Sequence, residues 1–309
     1  MVKIIAVAGP TAVGKTKFAI EIARALDGEI VSCDSMQLYR FMDIGSAKPT
    51  EEELAMAKHH LVDFLDPREP FSVAQYQKLA KEAIAGILSR GRLPVISGGT
   101  GLYLNSLLYE MDFSASPGDP AYRAELTELA AERGGVFLHN LLQEQDSAAA
   151  ARIHPNNTKK IIRALERLRE GEGRVRPFAG IDRETSDYQP VLIGLTRDRP
   201  ELYRRINERV DILLAAGLED EVRTLMDMGL NRENISMKGI GYKELMDWFA
   251  GAYSREEAID KIKKNTRHYA KKQLTWFRRY DKMKWYNISH YRDDDEAVEE
   301  IIAWLEKNR

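Results

Sequence analysis

The sequence has a single cysteine, Cys33, among 309 residues. No internal disulfide can form, and a chain without one suits a reducing compartment. It also lacks an excess of either charge: 46 Lys and Arg against 48 Asp and Glu leave a formal net charge of −2. No whole-molecule field draws in a polyanion, so any nucleic-acid surface has to be a local patch. No apolar run approaches the roughly 20 residues that cross a bilayer. The opening "MVKIIAVAGP" is too short for the apolar core of a secretion signal and runs into a Gly-Pro turn. Internal repeats and low-complexity tracts are missing too. The expectation is a soluble, cytoplasmic protein of about two domains with ample length for a buried core.

What is there begins with strand and helix signals in alternation. Lys3 to Ala8 is a β-branched run closed by Gly9-Pro10, the mark of a buried strand. Thr16 to Leu26 has helical apolar spacing and stops at Asp27-Gly28. "EIVSCDS" and "LPVISGG" read as further strands, with the amphipathic helix "VAQYQKLAKEAIAGILSRG" between them. This order predicts a parallel sheet flanked by helices. From "SPGDP" to "SDYQP" only helices and loops are predicted, so 117–189 reads as a helical insertion in a core made of 1–116 and 190–309. Strands return at "VLIGLTRDR" and "KMKWYNIS". "RDDDEAVEEIIAWLEKNR" reads as a terminal helix with a solvated acidic first turn. His59 and His60 are adjacent; on a helix they diverge by about 100° and make a poor metal pair.

The most specific local signal is "GPTAVGKT", Gly9, Pro10, Thr11, Ala12, Val13, Gly14, Lys15 and Thr16, which fits G-x-x-x-x-G-K-[ST]. Its glycines let successive N–H groups curl toward an anion, Lys15 adds a point charge, and the Thr16 hydroxyl suits Mg²⁺. The strand before and the helix after place it correctly for a phosphate loop. Kinases, NTPases and other phosphate-ester users share this loop, so ATP is one possible occupant.

Strand carboxyl ends rim the ligand crevice in open α/β sheets. Asp34 of "DSMQLY" therefore lies at its mouth, where an acid serves equally as a helix cap, a partner of bound Mg²⁺ or a reacting group. The glycines of "GGTGLY" mark close approach of the backbone to a ligand, with Thr100 facing the same crevice. In "ELYRRINERVDILLAAG", Leu202, Ile206, Val210, Leu213 and Leu214 form a buried stripe, and Arg205 and Arg209 share another flank. From Lys261 to Lys284 ten cations stand against one acid, Asp281, with Lys264, Arg267, Lys271 and Arg278 on one stripe. Tyr269, Trp276 and Phe277 are expected to turn inward as core anchors. Lys159, Arg163 and Arg167 make a second stripe in the insertion. Together the stripes predict a clamp on nucleic-acid phosphates.

The motifs "GPTAVGKT", "DSMQLY", "DIGSAKP", "GGTGLY", "ARIHPNN" with "RALE", "GIGYKE" and "KKQLTWFR" follow one another in this order. In this the chain resembles, over nearly its whole length, the bacterial tRNA dimethylallyltransferases, or tRNA isopentenyltransferases. Val13 departs from the small hydroxyl residue usual there, at a side chain that does not face phosphate. The resemblance implies a P-loop NTPase-like α/β fold with an inserted helical domain. It also implies transfer of a dimethylallyl group from dimethylallyl diphosphate to N6 of the adenosine beside the tRNA anticodon, with Mg²⁺ as cofactor and a monomer acting on the anticodon stem-loop, away from membranes. It assigns Asp34, Thr11 and Arg209 to catalysis, residues 9–16 to the diphosphate and Thr16 to the metal. To tRNA it assigns Asp34, Ser35, Met36, Gln37, Thr100, Arg123, Lys159, Lys160, Ile161, Ile162, Arg163, Lys238, Gly239, Gly241, Lys243, Arg267, Lys271, Lys272 and Gln273. Lys238, Gly239 and Gly241 also make sense alone, since a basic glycine-rich turn admits a sugar-phosphate chain. Two other readings compete: a small-molecule kinase with a lid-like insertion, and a non-catalytic RNA-binding protein. The basic carboxy-terminal stripe weighs against the first; the intact loop, Asp34 and Arg209 weigh against the second.

Overall fold

The computed structural model describes residues 2–111, 119–170 and 183–308. Six strands, β1 (Val2–Ala8), β2 (Gly28–Ser32), β3 (His59–His60), β4 (Leu93–Gly98), β5 (Tyr188–Thr196) and β6 (Lys284–Asn287), form one sheet in the order β3-β2-β4-β1-β5-β6. Every pairing is parallel. A parallel sheet is covered on both faces, which is why Ile4 to Ala8 of the central strand are all at most 1% exposed. The helices are α1 (Lys15–Ala25), α2 (Glu51–Met56), α3 (Val73–Ser89), α4 (Gly101–Leu108), α5 (Pro120–Arg133), α6 (Gly135–Gln145), α7 (Ser147–Arg152), α8 (Thr158–Arg169), α9 (Arg199–Ala215), α10 (Leu218–Asp227), α11 (Tyr242–Phe249), α12 (Arg255–Phe277) and α13 (Asp294–Asn308).

The chain divides into two compact units, Met1–Leu108 with Thr185–Arg309, and Tyr109–Glu184. In the first, α1 and α13 join a core that includes Phe18, Ile22, Ile193, Leu195, Ile301 and Leu305. The terminal helix is therefore a structural layer. The second unit packs α5 to α8 around Leu138, Leu142, Ala149 and Ile161, and its Glu166 is buried. Arg123 neutralises that carboxylate with two hydrogen bonds, Nε to Oε1 at 2.7 Å and Nη2 to Oε2 at 3.1 Å.

His59 and His60 form a two-residue edge strand. His60 Nε2 lies 2.7 Å from Oε2 of buried Glu29, which also accepts from Arg90. Arg90, and after it His60, hold the Glu29 carboxyl at about 2.

The strand order sets the site. Between β1 and β2 the chain crosses over β4, and from β1 the sheet extends both ways, so the crevice at its carboxyl edge opens beside β1. The segments after β1, β2, β4 and β5 emerge at that edge.

Candidate active site

The phosphate loop leaves β1 with Ala12 left-handed at φ +62° and Gly14 at φ +109°. Gly14 caps α1 without a side-chain hydrogen bond, so the first-turn N–H groups of the helix remain for a ligand. The loop carbonyls are held by three cationic side chains. Arg205 Nε donates to the Ala12 carbonyl at 3.1 Å, Arg197 Nε to that of Val13 at 3.2 Å, and Lys15 Nζ to that of Pro10 at 2.8 Å. Burial pushes the Lys15 ammonium down to about 8, against the opposing pull of Asp34. Val13 has no exposed surface and belongs to the core, in keeping with a side chain that does not face phosphate.

Arg197 is itself buried and bonded to Glu201 and Asp294. Asp295 pairs with Lys17 at 2.6 Å. The acidic first turn of α13 is thus more than a solvated helix start: it braces the loop.

Two cavities adjoin here. The smaller, about 410 Å³, is lined by Thr11, Lys15, Thr16, Arg205 and Arg209, among others. The larger, about 570 Å³, has an aromatic and aliphatic wall including Tyr39, Phe71, Tyr103, Ile206 and Val210. Thr11, Asp34, Arg209 and Tyr269 line both. The sequence-predicted catalytic trio of Asp34, Thr11 and Arg209 therefore meets in one shared wall. Asp34 Oδ1 accepts from Met36 N at 2.8 Å, which fixes its carboxylate in a tight local turn. Burial lowers the Arg209 guanidinium pKa, and Asp34 opposes that shift. Tyr103 stacks on Tyr76 with ring centroids 4.0 Å apart, which stiffens the aromatic wall.

Ser35, Met36, Lys238, Gly239, Gly241, Lys243 and Lys272 line the larger cavity, and Gln37 lines the smaller. Lys264 and Lys271 are exposed on α12, whereas Arg267 donates to Asn207 at 2.6 Å. Thr100 accepts from Ser35 N at 3.0 Å and so supports the Asp34 turn from below. Lys159 and Lys160 are exposed on α8.

Several expectations need correction. Ile161 and Ile162 are 0% and 8% exposed and pack in the core of their own unit, so their side chains are no RNA contacts. Gln273 is buried, with both ends of its amide bonded to protein. The close approach at "GGTGLY" is to protein, since a Cβ on Gly98 would stand 2.1 Å from the Cys33 carbonyl oxygen and one on Gly99 2.3 Å from Gln273 Nε2. Tyr269 is no core anchor: it is 38% exposed and faces the cavities. Trp276 is half-buried, and Phe277 alone of the three is fully inside. Leu213 and Leu214 are half-buried, and Leu213 lines the larger cavity.

Comparison with known proteins decides the family. The model of the IPP transferase family matches residues 37–280, and that of isopentenyl transferases matches residues 2–69. The chain belongs to the IPP transferase family. A tRNA dimethylallyltransferase of Alkaliphilus oremlandii is 48% identical over 300 residues, covering 97% of this chain and 96% of the relative. One from Geobacillus thermodenitrificans is 49% identical over 306 residues, covering 98% and 96%. The crystal structure of a tRNA isopentenylpyrophosphate transferase from Bacillus halodurans superposes with a TM-score of 0.75 at 45% identity, covering 99% of this chain and 96% of that one.

Two features of this IPP transferase escaped sequence reasoning. Arg197 follows β5 at the same edge as the other site segments, a signal the strand-end rule could have supplied. Glu221 accepts from the consecutive N–H groups of Asp43, Ile44 and Gly45 at 2.8, 2.7 and 3.0 Å, pinning the "DIGSAKP" wall of the site. Only the fold reveals that carboxylate, because 176 residues or more separate the partners.

Proposed function

We propose that this protein transfers a dimethylallyl group from dimethylallyl diphosphate to N6 of the adenosine adjacent to the tRNA anticodon, position 37, releasing diphosphate. The observation that carries the reading is Asp34 in the wall common to a phosphate-loop cavity and an aromatic one. The diphosphate occupies the smaller cavity, and the allylic chain points toward the larger. An adenine flipped out of the anticodon loop enters the larger cavity, at a cost of a few kcal/mol for unstacking. N6 attacks the allylic carbon and forms the C–N bond. The C–O bond breaks, and its electron pair leaves on the diphosphate. Asp34 accepts the N6 proton, a role worth about 10²- to 10⁴-fold. Loop N–H groups, Lys15 and Arg209 stand where charge builds on the leaving group, which lowers the barrier to its departure.

Mg²⁺ fits the donor set. Thr16 lines the loop cavity, and no group of three or more His, Cys, Asp or Glu side chains able to hold a metal occurs among the described residues. A site with so few protein ligands suits an ion that keeps water and takes phosphate oxygens. When bound, the ion neutralises charge on the diphosphate. Thr16 would hold it.

The acting unit is a monomer in the cytoplasm, bound to the anticodon stem-loop. Among the described residues no helix is long and apolar enough to cross a membrane.

The test is incubation with radiolabelled dimethylallyl diphosphate and unmodified tRNA. Label in the RNA is the expected result. Transfer only from γ-labelled ATP to a small molecule would favour a kinase and overturn the reading.

A further inference from the structure

We infer that Gln273 is a positioning residue of the donor site, a carboxamide strut that ties the phosphate loop to the turn after β4. The donor's identity rests on the prenyl-transfer reading; the geometry does not. Gln273 Oε1 accepts from the Thr11 N–H at 2.8 Å, and Gln273 Nε2 donates to the Gly99 carbonyl at 2.9 Å. The two contacts demand opposite polarity at the two ends of one short planar group. A glutamine supplies that; a glutamate lacks the donor, and an apolar side chain lacks both. The fold makes room for it, since the place of a Gly99 Cβ is taken by the amide nitrogen.

The two segments tied together leave neighbouring strands, for Ala8 of β1 pairs with Gly98 of β4. Their spacing sets where Thr11 stands in the wall shared by the cavities. The strut also reaches the acceptor side. Tyr269, one turn earlier on α12, lines both cavities and lies beside Thr100 and Gln273. Thr100 in turn receives the N–H of Ser35, next to Asp34. One helical turn of α12 thus ties the donor loop to the turn after β4 and shares the cavity wall with Asp34. Gln273 is buried and its bonds to Thr11 and Gly99 both go to the backbone of the donor side, so its main effect is expected on the donor.

The test uses Gln273→Met, which keeps volume, Gln273→Asn, which is too short to bridge, and Gln273→Glu. Each is titrated with inorganic pyrophosphate by calorimetry and assayed with both substrates, and tRNA binding is measured separately. Loss of the bridge is expected to weaken pyrophosphate binding and lower kcat/KM for the donor by about tenfold in the Met and Asn variants. Glu should lose more, because it sets a negative charge beside the diphosphate. Affinity for tRNA should be unchanged. Should all folded variants bind pyrophosphate like the parent, the strut is refuted; it is refuted equally if tRNA affinity falls instead. A parent protein that binds pyrophosphate yet transfers no prenyl group would refute the prenyl-transfer reading while leaving the strut open to the same titration.

Discussion

Arg197 stands behind the phosphate loop with its Nε on the Val13 carbonyl and its two terminal nitrogens on Glu201 and Asp294. The donor site is therefore braced by a buried cation that never needs to touch the donor.

Arg197→Met should lower stability by about 3 kcal/mol, the scale for removing one partner from a buried ion pair and leaving its carboxylates unmatched. Thermal unfolding of parent and variant checks this. An unchanged midpoint would mean that the loop is held by its own backbone.

Asp34→Asn removes the proton acceptor and keeps the shape of the turn. Turnover should fall by about 10²- to 10⁴-fold while tRNA affinity stays close to that of the parent. Single-turnover kinetics with saturating RNA decide it; a near-normal rate would take Asp34 out of the chemistry.

Lys15 gives the donor site a pH limit. Burial holds its ammonium at about 8, below the ordinary lysine value, so in the free protein it loses its charge as pH rises through that region. Bound diphosphate favours the charged form and restores the proton. Donor affinity should thus be full well below pH 8, fall as pH rises through that region, and be accompanied there by proton uptake. Pyrophosphate titrations in buffers of different ionisation enthalpy measure both, and pH-independent binding from 7 to 9 would contradict the assignment.

Lys264 and Lys271 are exposed on α12 at a spacing of seven residues. Replacing both by Ala should weaken tRNA binding and flatten its dependence on log salt by about 0.7–0.9 per lost phosphate contact. If the slope is unaltered, the RNA lies on another face.

Much of this is legible in the sequence because it is local. The phosphate loop carries its own spacing, β1 its own β-branched run, and Asp34 its place after a strand. Periodicity places α1, α3, α9 and α13 within a few residues. Relations across the sheet are not legible. Gln273 lies 262 residues from Thr11, and no local pattern says that its amide bridges a loop rather than meeting RNA. Ile161 and Ile162 fall in a segment that the family resemblance gives to RNA as a block, although an amphipathic helix must bury its apolar side. Tyr269 reads as a core residue by its type, yet its neighbours in space are Thr100, Gln273 and the cavity. The acids of α13 look like a solvated run because Arg197, their partner, is almost a hundred residues away.

The most direct measurement is the mass of adenosine nucleosides in tRNA from cells with and without this protein. The account predicts a five-carbon increment on the adenosine beside the anticodon, lost when the protein is absent and when only its Asp34→Asn variant is present. The same increment persisting without the protein, or never occurring with it, would contradict the account.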